Sequence, residues 1–202
     1  MGPPQAETAC REALAMGADR AVLLCDKALA GADTLATAYP LAMAIKRIGS
    51  FDIVLCGNET ADGSTGQVAP QLAEFLDVPH VTSVRKIVSI DDKKRIFEVE
   101  VALEYGYALV RVKLPAVLAV TREINKPRLP SVLSIQKAYK AKIDIWNAEI
   151  CENKSLIGLS GSPTQVVDVF TPEIKRRKEI LKGKPDEVVD KLLERLHELH
   201  VL

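Results

Sequence analysis

The residues best suited to chemistry lie in one stretch, "CGNETADGSTGQ", Cys56 to Gln67, which leaves an apolar, strand-like run and leads into an amphipathic one. Gly63, Ser64, Thr65, Gly66 and Gln67 combine two glycines with two hydroxyls and an amide at what reads as a helix N-terminus. Glycine lets a backbone approach a ligand closely, and the unpaired N–H groups and positive dipole end of a helix start suit a phosphate. Cys56, Gly57, Asn58, Glu59, Thr60, Ala61 and Asp62 form the approach to that cradle. Asp62 fits only if it caps the turn, takes a ribose hydroxyl or meets a cation, because its charge repels phosphate. The pattern is neither a Walker sequence nor G-x-G-x-x-G. On residue types alone the plainer reading is favoured: Ser64 or Thr65 is an N-cap and the glycines are turn residues.

Other constellations carry less. His80, His197 and His200 have no companion cysteine or carboxylate at ligand spacing, so no metal site is expected. No serine stands in a nucleophile elbow, no Cys/His pair offers itself, and no catalytic residue is assigned. The run "KRRK", residues 175 to 178, is offset by Glu173 and Glu179 and reads as a solvated face. Trp146 reads as packing rather than as a partner contact.

The elements that must position the loop alternate. Ala9, Ala13, Leu14 and Met16 recur at helical spacing from Gln5, with Gly17 as the C-cap. "AVLLCD", residues 21 to 26, and "DIVLCG", 52 to 57, are short apolar runs suited to parallel strands covered on both faces. Between them a helix runs from Asp33 or Thr34 toward Ile48, with Pro40 either opening its true first turn or kinking it. A helix of about three turns is expected from Thr65 to Leu76. This order marks a right-handed crossover unit in an open α/β sheet, whose ligands sit beyond the carboxyl ends of the strands.

After Val78 the pattern changes. "VTSVRKIVSI" and "RIFEVEVALEY" alternate around "DDKK", Asp91 to Lys94, as an antiparallel edge hairpin, and "YALVRVKLPAVLAV" returns a strand, 116 to 120, to the core. From Thr121 prolines punctuate a polar stretch, so 121 to 183 reads as an extended arm. Val189, Leu192, Leu193, Leu196 and Leu199 then stripe a terminal helix that needs a surface to lie on.

Composition narrows the partners. The 202 residues allow one large domain or one with an appendage, and 27 Lys+Arg balance 27 Asp+Glu. No nucleic acid or anionic lipid is expected; the partner is a small molecule or another protein. The four cysteines form no C-x-x-C pair, which fits a reducing, intracellular setting, expected to be the bacterial cytoplasm rather than the mitochondrial matrix. The most apolar run, 108 to 120, is interrupted by Arg111 and Lys113, and no charged leader precedes an apolar segment, so no membrane insertion is expected.

The loop, taken with "ALAMGADRAVLL" (13 to 24), "LPAVLAVTREINKPRLPSV" (114 to 132) and "GLSGSPTQVVDVFTP" (158 to 172), resembles the beta subunit of electron-transfer flavoprotein over essentially the whole chain. The resemblance implies an open, mostly parallel sheet of the adenine nucleotide alpha hydrolase-like type, with an antiparallel edge hairpin and an extended C-terminal arm. It implies a nucleotide-binding domain over 1–120 and, over 121–202, a recognition loop and an arm that wraps the alpha subunit. Cys56 to Gln67 would line AMP or a second FAD, with Gly63 to Gln67 on the phosphate, while the redox-active FAD is held by or shared with the alpha subunit. Arg128, Leu129, Val132 and Leu133 would face acyl-CoA dehydrogenase-type or other flavin dehydrogenases. Val132 is by position the apolar anchor, where a leucine is commoner. The form "ADGSTGQV" is similar to the anaerobic, electron-bifurcating branches.

The likeness departs at the start. Family members open on a strand of the type "KIVVCVKQVPD", whereas this chain opens at "MGPPQAETACREALAMGAD", already inside the domain. Strands from the middle of the sheet and part of the adenine pocket are therefore expected to be missing, leaving an exposed sheet edge. The leading expectation is a non-catalytic electron-transfer subunit. Its rivals are a stand-alone adenine nucleotide sensor of the same superfamily, which needs no such arm, and a hydrolase or ligase at an adenylate site, which needs a base or nucleophile.

Overall fold

The structure is a computed structural model that describes residues 1–171, 179–199 and 201; the Lys175–Lys178 run and His200 lie outside the described residues. The chain divides into a unit from Met1 to Gln165 and a second from Val166 to Leu202.

In the first unit α1 (Glu7–Ala15) leads to β1 (Val22–Leu24), α2 (Thr34–Ile48), β2 (Ile53–Gly57) and α3 (Val68–Leu76). Then come β3 (His80–Asp91), β4 (Ile96–Leu103), β5 (Gly106–Lys113) and β6 (Ala116–Val120), followed by α4 (Val132–Lys140) and β7 (Asp144–Trp146). One sheet has the order β2-β6-β3-β4-β5, and β1 pairs with β7 in a second. The pairings β1–β7, β2–β6 and β6–β3 are parallel, while β3–β4 and β4–β5 are antiparallel. This is the expected open, mostly parallel α/β sheet with an antiparallel edge hairpin.

β6 is the last of the five strands in the chain and sits between β2 and β3. Its side chains alternate between two cores. Val117 and Ala119 face Ala38 and Ala42 of α2 and Ala69, Leu72 and Ala73 of α3. Ala116 and Leu118 join Val84, Phe97, Val99 and Val112 in another cluster. A strand covered on both faces reads as a continuous apolar run, which is why "AVLAV" carries no polar residue. The alanines let two helices approach the sheet and each other closely.

Several elements differ from expectation for local reasons. The first helix begins at Glu7, because a short 3-10 turn over Pro4–Ala6 precedes it. β1 ends at Leu24 because the Asp26 carboxylate turns back to accept from the Ala28 amide at 2.9 Å and caps a 3-10 turn over Lys27–Leu29. α2 runs unbroken through Pro40, whose ring is fully buried, so the missing hydrogen bond is offset by burial. β3 carries irregular register on both sides of Lys86–Ile87.

The stretch that reads as an arm from 121 is divided. As far as Gln165 it packs into the first unit, because its apolar residues complete a third core rather than trailing in solvent. Ala148, Cys151 and Ile157 meet Leu24, Leu29 and Tyr39, and the Asn153 amide donates to the Tyr39 hydroxyl at 2.9 Å. Trp146 packs against this cluster, with the guanidinium of Arg47 4.8 Å from its ring centre and that of Arg20 5.7 Å away. In the second unit α5 (Pro185–Glu198) carries Val189, Leu192 and Leu193 exposed, while Arg195 pairs with Glu179 at 2.9 Å. Among the described residues no helix is long and apolar enough to cross a membrane.

Gly158 fastens the third core. Its φ is +59°, and a Cβ there would stand 2.2 Å from the Ala28 carbonyl oxygen. Gly158→Ala is expected to cost about 2 kcal/mol or more, combining backbone strain with a backbone clash. Urea denaturation followed by the fluorescence of the single tryptophan, Trp146, checks this; an unchanged midpoint refutes it.

Candidate functional site

The loop from Gly57 to Gln67 leaves the carboxyl end of β2 and is bolted at its start. The Asn58 amide donates to the Val120 carbonyl of β6 at 3.0 Å. Its side-chain Oδ1 accepts from the Ser83 amide of β3 at 2.9 Å and from the Ser83 hydroxyl at 3.4 Å. Ser83 takes a φ of +55° within a further register shift of β3, between Val81 and Val84 against β6, and this irregularity turns its amide toward the loop. The loop then closes on itself: the Thr60 carbonyl accepts from the amide and hydroxyl of Ser64, at 2.9 and 3.2 Å.

Asp62 is drawn into this turn. Its Oδ1 accepts from the Gly63 amide at 2.8 Å. Bonding from the Thr60 side chain and then from Gly63 holds its carboxyl below the ordinary carboxylate range. Of the roles open to Asp62 in the sequence, the structure has it capping the turn. Cys56, half-buried beneath the loop, has its thiol pushed up by desolvation.

α3 starts at Val68, three residues later than the spacing predicts. Neither Ser64 nor Thr65 is its N-cap; that position belongs to Gln67, whose side chain makes no capping bond. Ser64 is instead used inside the loop, at a φ of +45°, and Gly66 at +61° makes the last bend before the helix. Positive φ is costly for a side chain and free for glycine, which gives Gly66 its place. The amides of Thr65, Gly66 and Gln67 have no hydrogen-bond partner among the described residues.

The structure adds a neighbour that the sequence reading left out. The Thr34 hydroxyl, at the first position of α2, donates to Gln67 Oε1 at 3.1 Å. Two helix N-termini therefore meet at one point. α2 is brought there by Asp33, whose Oδ1 caps it through the Ala36 amide at 3.0 Å. Asp33 Oδ2 accepts from the amide and hydroxyl of Thr164, at 3.1 and 2.8 Å, and the Asp33 amide donates to Ser162 Oγ at 2.8 Å. Asp33 was legible as a cap; its long-range partners follow only from the fold. At the carboxyl end of β1 there is also an apolar cavity of about 480 Å³, lined among others by Gly2, Pro3, Leu24, Cys25 and Leu29.

The residues read as partner-facing form a separate surface. Leu129, Val132 and Leu133 are 94, 72 and 77% exposed, and Arg128 is exposed beside them. Val132 is not in a loop: it is the first residue of α4, because Ser131 caps the helix by accepting from the Ser134 amide at 3.1 Å. Among the described residues no group of His, Cys, Asp and Glu is arranged to hold a metal.

Ligands of open α/β sheets bind beyond the carboxyl ends of the strands, and the glycine-bearing loop stands at such an end. The family model for the electron transfer flavoprotein domain matches residues 1–150. The chain is similar to the electron transfer flavoprotein subunit beta of Thermoanaerobacterium thermosaccharolyticum, 52% identical over 204 residues, covering 100% of this chain and 77% of that one. It is 45% identical to the caffeyl-CoA reductase-Etf complex subunit CarD of Acetobacterium woodii, covering 100% of this chain and 77% of the relative. It is 41% identical to protein FixA of Azorhizobium caulinodans, covering 88 and 66%. The chain belongs to the electron-transfer flavoprotein family, among its beta subunits. Its role is accordingly that of an electron-transfer subunit.

Asp33 gives this region a pH dependence. Partial desolvation raises its carboxyl, but the bonds from Ala36 and from Thr164 outweigh it, and the group sits below the ordinary carboxylate range. A depressed folded-state value stabilises the fold above the unfolded value and loses that contribution as pH falls through the folded one. Thermal midpoints of wild type and Asp33→Asn are expected to differ most above about pH 5 and to converge as pH falls below the ordinary carboxylate range. A constant gap across that range refutes the assignment.

Proposed function

We propose that this chain holds an adenine nucleotide, AMP or FAD, along Cys56 to Gln67, with phosphate at Gly63 to Gln67, and docks dehydrogenase partners through Arg128, Leu129, Val132 and Leu133. The observation that carries the nucleotide reading is the meeting of α2 and α3 at Thr34 and Gln67. Two positive dipole ends at one point favour an anion, and the amides of Thr65 to Gln67 can donate to it. Asp62 stays ionised but is held in the turn by Thr60 and Gly63, which leaves the amides of Thr65 to Gln67 as the donors for phosphate.

A flavin held by or shared with an alpha subunit supplies the electron-carrying chemistry; this chain's own residues bind, orient and dock. A heterodimer gives the exposed apolar residues of the second unit, Val166, Val167, Phe170 and the stripe of α5, a surface to cover. The name of the Acetobacterium woodii relative places that protein in a reductase–Etf complex, which supports a dehydrogenase-type partner here and, with the form of the loop, a bifurcating one. The setting we propose is the bacterial cytoplasm.

Gly66→Val places a β-branched side chain at a φ of +61° beside the phosphate cradle. Calorimetry on the complete heterodimer is expected to show lost or strongly weakened AMP or FAD binding, and unchanged binding refutes the loop assignment. At the other surface, Val132→Ala removes two methyl groups from a desolvated contact, costing about 1 to 2 kcal/mol at roughly 0.8 kcal/mol per group. Association then weakens about 5- to 30-fold. The measurement is the partner-concentration dependence of dehydrogenase-coupled flavin reduction, with the flavin potential unchanged; if half-saturation stays put, Val132 is not the anchor.

A further inference from the structure

We infer that Arg11 is the positioning residue that sets the pose of α4 and, through it, the affinity of the Leu129, Val132 and Leu133 patch for a dehydrogenase; this rests on the docking reading above. α4 has nine residues, too few to persist as a helix in water without tertiary support. Its N-terminus is closed by Ser131. Its C-terminus carries no glycine, and the chain leaves through Ala141 in an extended conformation, so that among the described residues only the Ala138 carbonyl finds a local donor, the Ala141 amide at 3.2 Å, and the other last carbonyls need one from elsewhere.

Arg11 of α1 is that donor. Its Nη1 donates to the Ala138 and Tyr139 carbonyls, each at 2.9 Å, and the guanidinium carbon lies 5.9 Å from the Tyr139 ring centre. A cation at this end also complements the helix dipole. The fork is held from behind by Glu7, whose Oε1 accepts from Nε at 2.9 Å and also from Nη2. Ala138 is buried and gives the two helices their close approach. Beside this contact a groove of about 680 Å³, lined among others by Glu12, Ile135 and Tyr139, leaves α4 room to swing once the fork is gone. A lysine cannot replace it, because an ammonium on a flexible stem has no planar fork to face Glu7 and two carbonyls together.

The test uses the complete heterodimer with Arg11→Gln and Arg11→Lys, each alone and combined with Val132→Ala. Half-saturation by the dehydrogenase is expected to rise about 5- to 10-fold in Arg11→Gln, with the rate at saturating partner and the bound nucleotide unchanged. Hydrogen exchange of the α4 amides should accelerate, Arg11→Lys should fall short of rescue, and the docking defect should largely vanish in the Val132→Ala background. Faster exchange with unchanged half-saturation overturns the inference. So does an effect that simply adds to a shift which Val132→Ala itself produces, or a loss of nucleotide in step with docking. If Val132→Ala shifts half-saturation and Arg11→Gln does not, Arg11 alone loses its role. If Arg11→Gln shifts it and Val132→Ala does not, the docking residue was misassigned while α4 and its Arg11 anchor stand.

Discussion

The pairing of β6 with both β2 and β3 is the constraint on which the rest of the structure depends. Its backbone supplies the hydrogen bonds that hold two strands otherwise unconnected across the sheet, and its side chains close a core on either face. The carboxyl edge follows directly. Val120 takes the Asn58 amide, and the Thr121 amide bonds Val84, so the same strand end places both the loop and the strand that props it. Ser83 then needs only its unusual backbone to reach Asn58.

From that edge the arrangement spreads through a few polar side chains rather than through more core. Asp33 is the clearest case, since one carboxylate starts α2 and captures Thr164, while its amide takes Ser162. Such a group is satisfied on every side, which is the condition under which a half-buried charge stabilises rather than weakens a fold.

How much of this was legible varies with the range of the interaction. The apolar runs, the alternating hairpin and the return of "AVLAV" to the core were readable because burial on one or two faces leaves its period in the sequence. The start of α3 was not, because Ser64 and Thr65 are good caps by type and only the Thr60 carbonyl, closing the turn, draws Ser64 away. Residues 121 to 165 misled for a similar reason: prolines and short 3-10 turns look like an arm unless Tyr39 and Leu29 are known to lie opposite. Thr34 was legible as a helix start but not as a neighbour of Gln67, and Arg11 gave no local signal. Their partners lie 33 and 127 residues away, and nothing in spacing announces them.

The third core has a consequence for the order in which the chain becomes a protein. Tyr39 finds the Asn153 amide 114 residues downstream, Asp26 the Ala148 amide 122 downstream, and Asp33 the Ser162 hydroxyl 129 downstream. As the chain emerges from the ribosome, Leu24, Leu29 and Tyr39 are made early and their cover late. At about 5 to 20 residues per second they stand uncovered for several seconds or more. Closing loops of this length also slows folding from the denatured state. The newborn chain therefore passes through a stage in which β1 and the front of α2 are sticky, and that interval, rather than the stability of the finished fold, is when a chaperone or an early partner has most to protect.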